Sequence, residues 1–264
     1  MPALPLSRRH LLAALSAILT TGVALPRITH AQTAFAVYAD PSLRVALETI
    51  VPVFRQRERH PLMLAFGDVS GATGVTGAIV HDVLIVAGAA NMAPLVDAGQ
   101  VEPPTDLLAN RLALVAAPGA PAPAALTRGM DLTRWVDRRR PLAIVDPTRN
   151  AIGRDALDAL RFIGWDEGVS RRVLTTPTVA AARDAVARGD AALGVVFANT
   201  AARDAEVRMV GAFPPDAHAP IVYQVAVKAG TPADAPARAF VHALYGETAR
   251  AAFLADGLKP RVAR

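Results

Sequence analysis

Four short stretches place a hydroxyl or a glycine where a loop turns into a helix: Ser42, Ser70, Ile152-Gly153 and Thr178-Val179. A helix start offers N–H groups with no partner inside the helix, and a partial positive charge. It therefore holds a small anion without needing a lysine. Taken singly, each Ser or Thr is more simply explained as an N-cap. Taken together, the four describe a set of neutral donors. Two carboxylates, Asp40 and Asp68, stand beside the two serines, and Arg149 and Arg154 flank Gly153. A carboxylate about 6 Å from an anion repels each unit of its charge by roughly 3 kcal/mol at an effective dielectric near 20. Those acids must therefore either cap the helices or shape what the site accepts. Arg154 is the cation expected to restore positive potential.

Other chemistries find less support. Cysteine is absent, which removes disulfides, thiol nucleophiles and Cys-based metal sites. His60, His81, His218 and His242 show no His-x-x-x-His or His-x-x-Glu spacing, so no catalytic zinc is expected. Gly67-Asp68-Val69-Ser70-Gly71 has the wrong spacing for a nucleophile elbow. Gly71-Ala72-Thr73-Gly74-Val75-Thr76-Gly77 resembles the dinucleotide turn of short-chain dehydrogenases, and an NAD(P)-binding enzyme is the alternative reading. A strand and a helix precede that turn, however, and Tyr223 lies one residue too far from Lys228 for a Tyr-x-x-x-Lys pair.

The elements that would position these residues follow from periodicity. Short apolar runs at 35–39, 62–66, 82–86, 111–117, 142–145, 192–197 and 221–227 read as strands. Helices are expected from Leu43, over 92–98 before Gly99, over 154–162, over 179–187 before Gly189, and from Ala235 to Gly257. Strands alternating with helices make an α/β protein with largely parallel sheets.

In that order of elements the chain resembles the periplasmic molybdate-binding proteins of ABC importers, a branch of the type II solute-binding proteins. The resemblance is carried by Tyr38-Ala39-Asp40-Pro41-Ser42-Leu43, by Phe66-Gly67 through Ser70-Gly71, by Asp82-Val83-Leu84-Ile85, by Val96-Asp97-Ala98-Gly99 and by Asn110 through Ala116. Further along come Ala143-Ile144-Val145-Asp146-Pro147 with Gly153, then Arg188-Gly189-Asp190-Ala191 and Gly194-Val195-Val196-Phe197. The most specific stretch runs from Gly211-Ala212-Phe213-Pro214 through His218-Ala219-Pro220-Ile221-Val222-Tyr223.

The resemblance implies a two-lobed type II periplasmic-binding-protein fold, each lobe a mixed, mostly parallel sheet flanked by helices. Residues 32–111 with 221–264 would form lobe 1 and residues 112–220 lobe 2, with hinge strands near 111–117 and 219–227. It also implies ligand-binding roles for Ser42 and Ser70 through their hydroxyls and for Ile152 and Val179 through backbone N–H. Phe197 stands where the family has a tyrosine whose hydroxyl reaches the anion. Losing that bond costs about 1–3 kcal/mol. The loop before Asp82 is shorter than the family's usual approach. The implied ligand is a small oxyanion, molybdate or tungstate, and the implied partner is an ABC permease in the inner membrane. The protein would act as a monomer, with no cofactor and no metal held directly. A sensor with the same fold and no transport role is the remaining alternative.

The first 31 residues carry Arg8, Arg9 and Arg27, then an apolar run from Leu11 to about Leu25, and close on Thr29-His30-Ala31. That is the order of a signal peptide. Ser7-Arg8-Arg9-His10-Leu11-Leu12 resembles a twin-arginine signal, which is an address and not an anchor. Its removal places the protein in the periplasm and takes three arginines from the net charge of +5. The triplet Arg138-Arg139-Arg140 has no interleaved aromatics, so no nucleic-acid partner is expected.

Overall fold

A computed structural model describes residues 34–68, 72, 78–165 and 172–262. Residues 1–31, Ser70, and the Gly71–Gly77 turn apart from Ala72 lie outside the described residues.

The strands build two sheets. The first contains β1 (Phe35–Ala39), β2 (Leu62–Phe66), β3 (Val83–Ala87), β4 (Thr105–Asn110), β10 (Ile221–Val227) and β11 (Lys259–Pro260), in the order β11-β4-β10-β3-β1-β2. The second contains β5 (Leu112–Ala116), β6 (Leu142–Val145), β7 (Val173–Thr176), β8 (Leu193–Phe197) and β9 (Arg208–Ala212), in the order β7-β6-β8-β5-β9. Both sheets are mixed. β1 runs parallel to β2 and β3, and β6 to β7 and β8. The antiparallel ladders involve the strands at the crossings between sheets, β4 and β5 on the way out and β9 and β10 on the way back.

The twofold side-chain period of a strand divides each sheet between two apolar layers. In β1, Phe35, Val37 and Ala39 enter the main core, while Tyr38 faces the layer holding Leu84, Val86 and Met92. In β5, Leu112, Leu114 and Ala116 join the main core, while Ala113 and Val115 pack with Ala182 and Val186. Near-continuous burial along β3, β5, β6 and β8 fits sheets covered on both faces.

Helix α1 (Arg44–Glu58) buries Ala46, Leu47, Ile50, Val51 and Phe54, one stripe at helical spacing. It is entered through a 3-10 turn, Pro41–Leu43. Helix α2 (Ala89–Asp97) starts just after Gly88, whose φ of 82° favours glycine. Helices α3 (Ala151–Phe162), α4 (Val179–Ala187) and α5 (Ala198–Ala201) follow β6, β7 and β8. The C-terminal helix is two helices, α6 (Asp234–Ala243) and α7 (Glu247–Ala255), parted at Gly246.

Several expectations are corrected. The apolar run at 111–117 is preceded by a separate strand, β4, in the other sheet, so the chain changes sheets at Arg111. Strands β7 and β9 were not anticipated. Their exposure is uneven, and neither reads as an apolar run or a clean alternation. Helix α3 begins at Ala151, three residues earlier than the apolar pattern indicates, because Asn150 caps it.

Gly153 sits in the first turn of α3 at a close approach to the loop after β6. A Cβ there would lie 2.7 Å from Pro147 Cα and Pro147 N, backbone atoms with no room to yield. Gly153→Ala is expected to destabilise the fold by about 1–3 kcal/mol, read as a lower urea midpoint. An unchanged midpoint would show that the loop gives way freely.

Candidate functional site

A cavity of about 340 Å³ opens between the two sheets. The first sheet contributes the turn Asp40-Pro41-Ser42, then Gly67 and Asp68 after β2, the end of β3 and Asn91 of α2. The second contributes Asn150 and Ile152 at the start of α3, Thr178 through Ala180 with Arg183 and Asp184 of α4, Phe197 at the end of β8, and Thr200. The cavity thus lies at the carboxyl ends of parallel strands, where α/β sheets leave their crevices.

The β1-to-α1 turn is pinned by Asp40 N donating to Ile85 O at 2.9 Å. Asp40 Oδ1 accepts from Ser42 N at 2.9 Å and from Ser42 Oγ at 2.6 Å. Ser42 Oγ also lies 2.6 Å from the Tyr223 hydroxyl, which accepts from Asn110 Nδ2 at 3.1 Å. A hydroxyl has one proton to give. With Asp40 ionised, the proton of Ser42 goes to Asp40 and that of Tyr223 goes to Ser42. The chain from Asn110 through Tyr223 and Ser42 to Asp40 therefore runs in one direction. Burial pushes the Asp40 carboxyl up to about 6, despite the two bonds from Ser42, and Asp68 adds repulsion. Burial and Asp40 together push the Tyr223 phenol well above its ordinary value.

The other two helix starts are also capped from within. Asn150 Oδ1 accepts from Ile152 N at 2.9 Å. Asn91 reaches over from the first sheet. Its Oδ1 accepts from Ala151 N at 2.9 Å, and its Nδ2 donates to Asn150 Oδ1 at 3.1 Å and to Ala87 O at 2.8 Å. Thr178 Oγ1 accepts from Ala181 N at 3.0 Å. A second bridge runs behind the cavity. Asn199 of α5 donates to Ser42 O at 2.8 Å and to Asp256 Oδ2 at 3.3 Å, and accepts from Asn110 at 2.9 Å. Asp256 is buried and paired with Arg203.

Charge on the cavity wall leans negative. Among the described residues that line it, the charged ones are Asp40, Asp68, Asp184 and Arg183. That guanidinium is forked onto Asp204 at 2.5 and 2.6 Å, and also reaches Glu206 at 2.6 Å and Asp184 at 3.1 Å. Among the described residues no cluster of acidic or histidine side chains has the makings of a metal site.

The structure brings Ser42, Ile152, Val179 and Phe197 to this one cavity. Ser70 lies outside the described residues. Arg154 is corrected: because α3 starts at Ala151, Arg154 falls past the first three positions, and its exposed guanidinium donates to Pro147 O at 3.2 Å outside the cavity lining. Arg149 lines a neighbouring depression with Asp146 and Thr176. Sequence reasoning missed Asn91, Asn110, Arg183 and Asn199, whose roles depend on partners from 21 to 157 residues away. It also missed Asn150, which cap preference alone could have marked.

The Asp40 carboxyl carries a consequence for stability. The folded protein retains a proton there that the unfolded chain has lost between about pH 4 and pH 6, so stability present below that window is lost as pH rises through about 6. Asn caps a helix as well as Asp does and carries no charge. Asp40→Asn is expected to raise stability at pH 8 by at most about 3 kcal/mol and to leave it unchanged at pH 4, read by urea unfolding. One side of Asp40 reaches the cavity surface, which makes that figure a ceiling. An equal stability for both proteins at pH 8 would mean that the carboxylate is ionised there without cost.

Comparison with known proteins agrees with this geometry. The molybdate-binding protein ModA of Escherichia coli is 29% identical over 222 residues, covering 82% of this chain and 85% of the relative. The structure of the Azotobacter vinelandii periplasmic molybdate-binding protein superposes with a TM-score of 0.68 at 22% identity, covering 85% of this chain and 98% of that one. The sulfate-binding protein SubI of Mycobacterium tuberculosis superposes with a TM-score of 0.66 at 18% identity, covering 87% of each chain. These likenesses establish the two-lobed α/β fold. The dehydrogenase alternative is not favoured: β2, the strand before the Gly71–Gly77 turn, is an edge strand, whereas a dinucleotide turn follows an inner one. The family model described as bacterial extracellular solute-binding protein matches residues 35–259, and the chain belongs to that family.

Proposed function

We propose that this protein captures a small oxyanion of the molybdate or tungstate class in the periplasm and delivers it to an ABC permease of the inner membrane, acting as a monomer and without chemistry on its cargo. The observation that carries the reading is the convergence of three helix starts from two sheets on one cavity. N–H groups there can turn from their caps to an anion that offers more charge. Relatives that bind molybdate, one of them 29% identical over most of the chain, support the choice of anion.

In this reading residues 32–111 and 221–264 form lobe 1, and residues 112–220 form lobe 2. The chain segments between β4 and β5 and between β9 and β10 flex. Ser42, Ser70, Ile152 and Val179 supply donors, and Phe197 closes the wall with an apolar ring. Ligand favours the closed arrangement because only there do donors of both lobes reach it. Among the described residues no helix is long and apolar enough to cross a membrane.

Molybdate or tungstate at a thousandfold over its dissociation constant is expected to stabilise the protein by about 4 kcal/mol, read as a rise in melting temperature. A flat response to molybdate, tungstate, sulfate and phosphate would remove the oxyanion reading. Phe197→Tyr is expected to tighten molybdate binding, since a bond to a charged group contributes about 1–3 kcal/mol. Weaker binding by that variant, measured by calorimetry, would show that position 197 does not face the anion.

A further inference from the structure

We infer that Asp40 is the specificity-determining residue of this site: the cavity takes up its oxyanion together with one proton, shared between the Asp40 carboxylate and the nearest ligand oxygen. The inference rests on the oxyanion reading above and deepens it.

Three observations lead here. First, Asp40 Oδ1 holds both donors that the turn could offer a ligand, Ser42 N at 2.9 Å and Ser42 Oγ at 2.6 Å. While Asp40 is ionised, the proton of Ser42 points at it, and the proton of Tyr223 points at Ser42, so the hydroxyl chain has nothing left to give. Second, among the described residues no cation pairs with Asp40. On its own element Arg44 pairs with Glu48 and stacks over the Phe66 ring. From the loop after β2 comes Asp68, another acid, and from β1 and β10 come the phenols of Tyr38 and Tyr223. Across the cavity, α4 offers Asp184 and an Arg183 already held by Asp204 and Glu206. Third, the carboxyl is already raised to about 6 before any ligand arrives, and an anion beside it raises it further.

A bare dianion entering beside ionised Asp40 meets like charge and occupied donors together. One proton from solvent removes both obstacles. Protonated Asp40 is a weak acceptor, so Ser42 N–H and O–H turn to the ligand, and the new carboxyl O–H becomes a donor itself. An oxyanion that brings its own proton satisfies the same balance, by donating to the Asp40 carboxylate. The site therefore discriminates by protonation as well as by size.

The test is calorimetric titration of the full chain with molybdate, a proton-free dianion over the range, from pH 7 to pH 8.5. Two phosphate-free buffers of different ionisation enthalpy are used. The wild-type protein is expected to take up about one proton per ligand, and its dissociation constant to rise about tenfold per pH unit. Asp40→Asn, which keeps the cap, is expected to bind tenfold or more tightly than wild type at pH 8, with no pH slope. Binding by the wild type without proton uptake would overturn the inference and leave the oxyanion reading standing. So would a slope that survives in the variant. The wild-type proton count is independent of how the variant folds. Absence of binding by both proteins at every pH, with sulfate and tungstate tried as well, would overturn the oxyanion reading and this inference with it.

Discussion

Backbone N–H groups at a helix start must find an acceptor, and around this cavity that requirement organises everything else. Three helices aim their first turns at one space between two sheets. Each is satisfied by a side chain of the protein itself: Asp40 for Ser42, Asn150 for Ile152 and Thr178 for Ala181. Leaving such donors buried without a partner would cost about 1–3 kcal/mol each. The caps therefore both satisfy these helix starts and compete with any acceptor that approaches them.

The caps are not equivalent. Asn150 and Thr178 are neutral, and a ligand displacing them exchanges one dipole for a charge. Asp40 is an acid in a poorly solvated turn, with the phenol of Tyr223 and the carboxylate of Asp68 near it. Asp40 and Asp68 thus place two carboxylates on one wall of the cavity. Arg183 does not correct the balance, because three carboxylates already surround it. Phe197, 3% exposed at the end of β8, adds an apolar ring to the wall. These side chains sit together around one cavity, and the charges among them bear on how much negative charge it tolerates.

The two halves of the molecule are tied by amides as well as by apolar packing. Asn91 crosses the cavity to Asn150 and Ala151, and Asn199 crosses behind it to Ser42 O and Asn110. Amide side chains make such bonds without the desolvation cost of an ion pair. Because Asn150 also caps α3, and Ser42 also belongs to the hydroxyl chain, movement at the crossings is felt directly at the donors. The caps and the crossings between the sheets are thus parts of one hydrogen-bonded network.

Much of the architecture was legible in the sequence, since it depends on local pattern. The strands at 62–66, 142–145 and 221–227 announce themselves by apolar runs, and α4 by its period and by Gly189 beyond its end. Ser42, Ile152 and Val179 stand where local turn chemistry and family resemblance both point. Strands β4, β7 and β9 escaped, because neighbouring strands stabilise them more than their own side chains do. Arg154 lies apart from the cavity lining, in a helix that starts three residues before the apolar pattern indicates. That Asp40 consumes the donors of Ser42, that Tyr223 sets the direction of that chain, and that Asn91 and Asn199 join the sheets could be decided only by the tertiary structure. Those bonds link residues 2, 181, 59 and 157 positions apart. A sequence records which groups can donate or accept, and folding alone decides which of them meet and in what order their protons are spent.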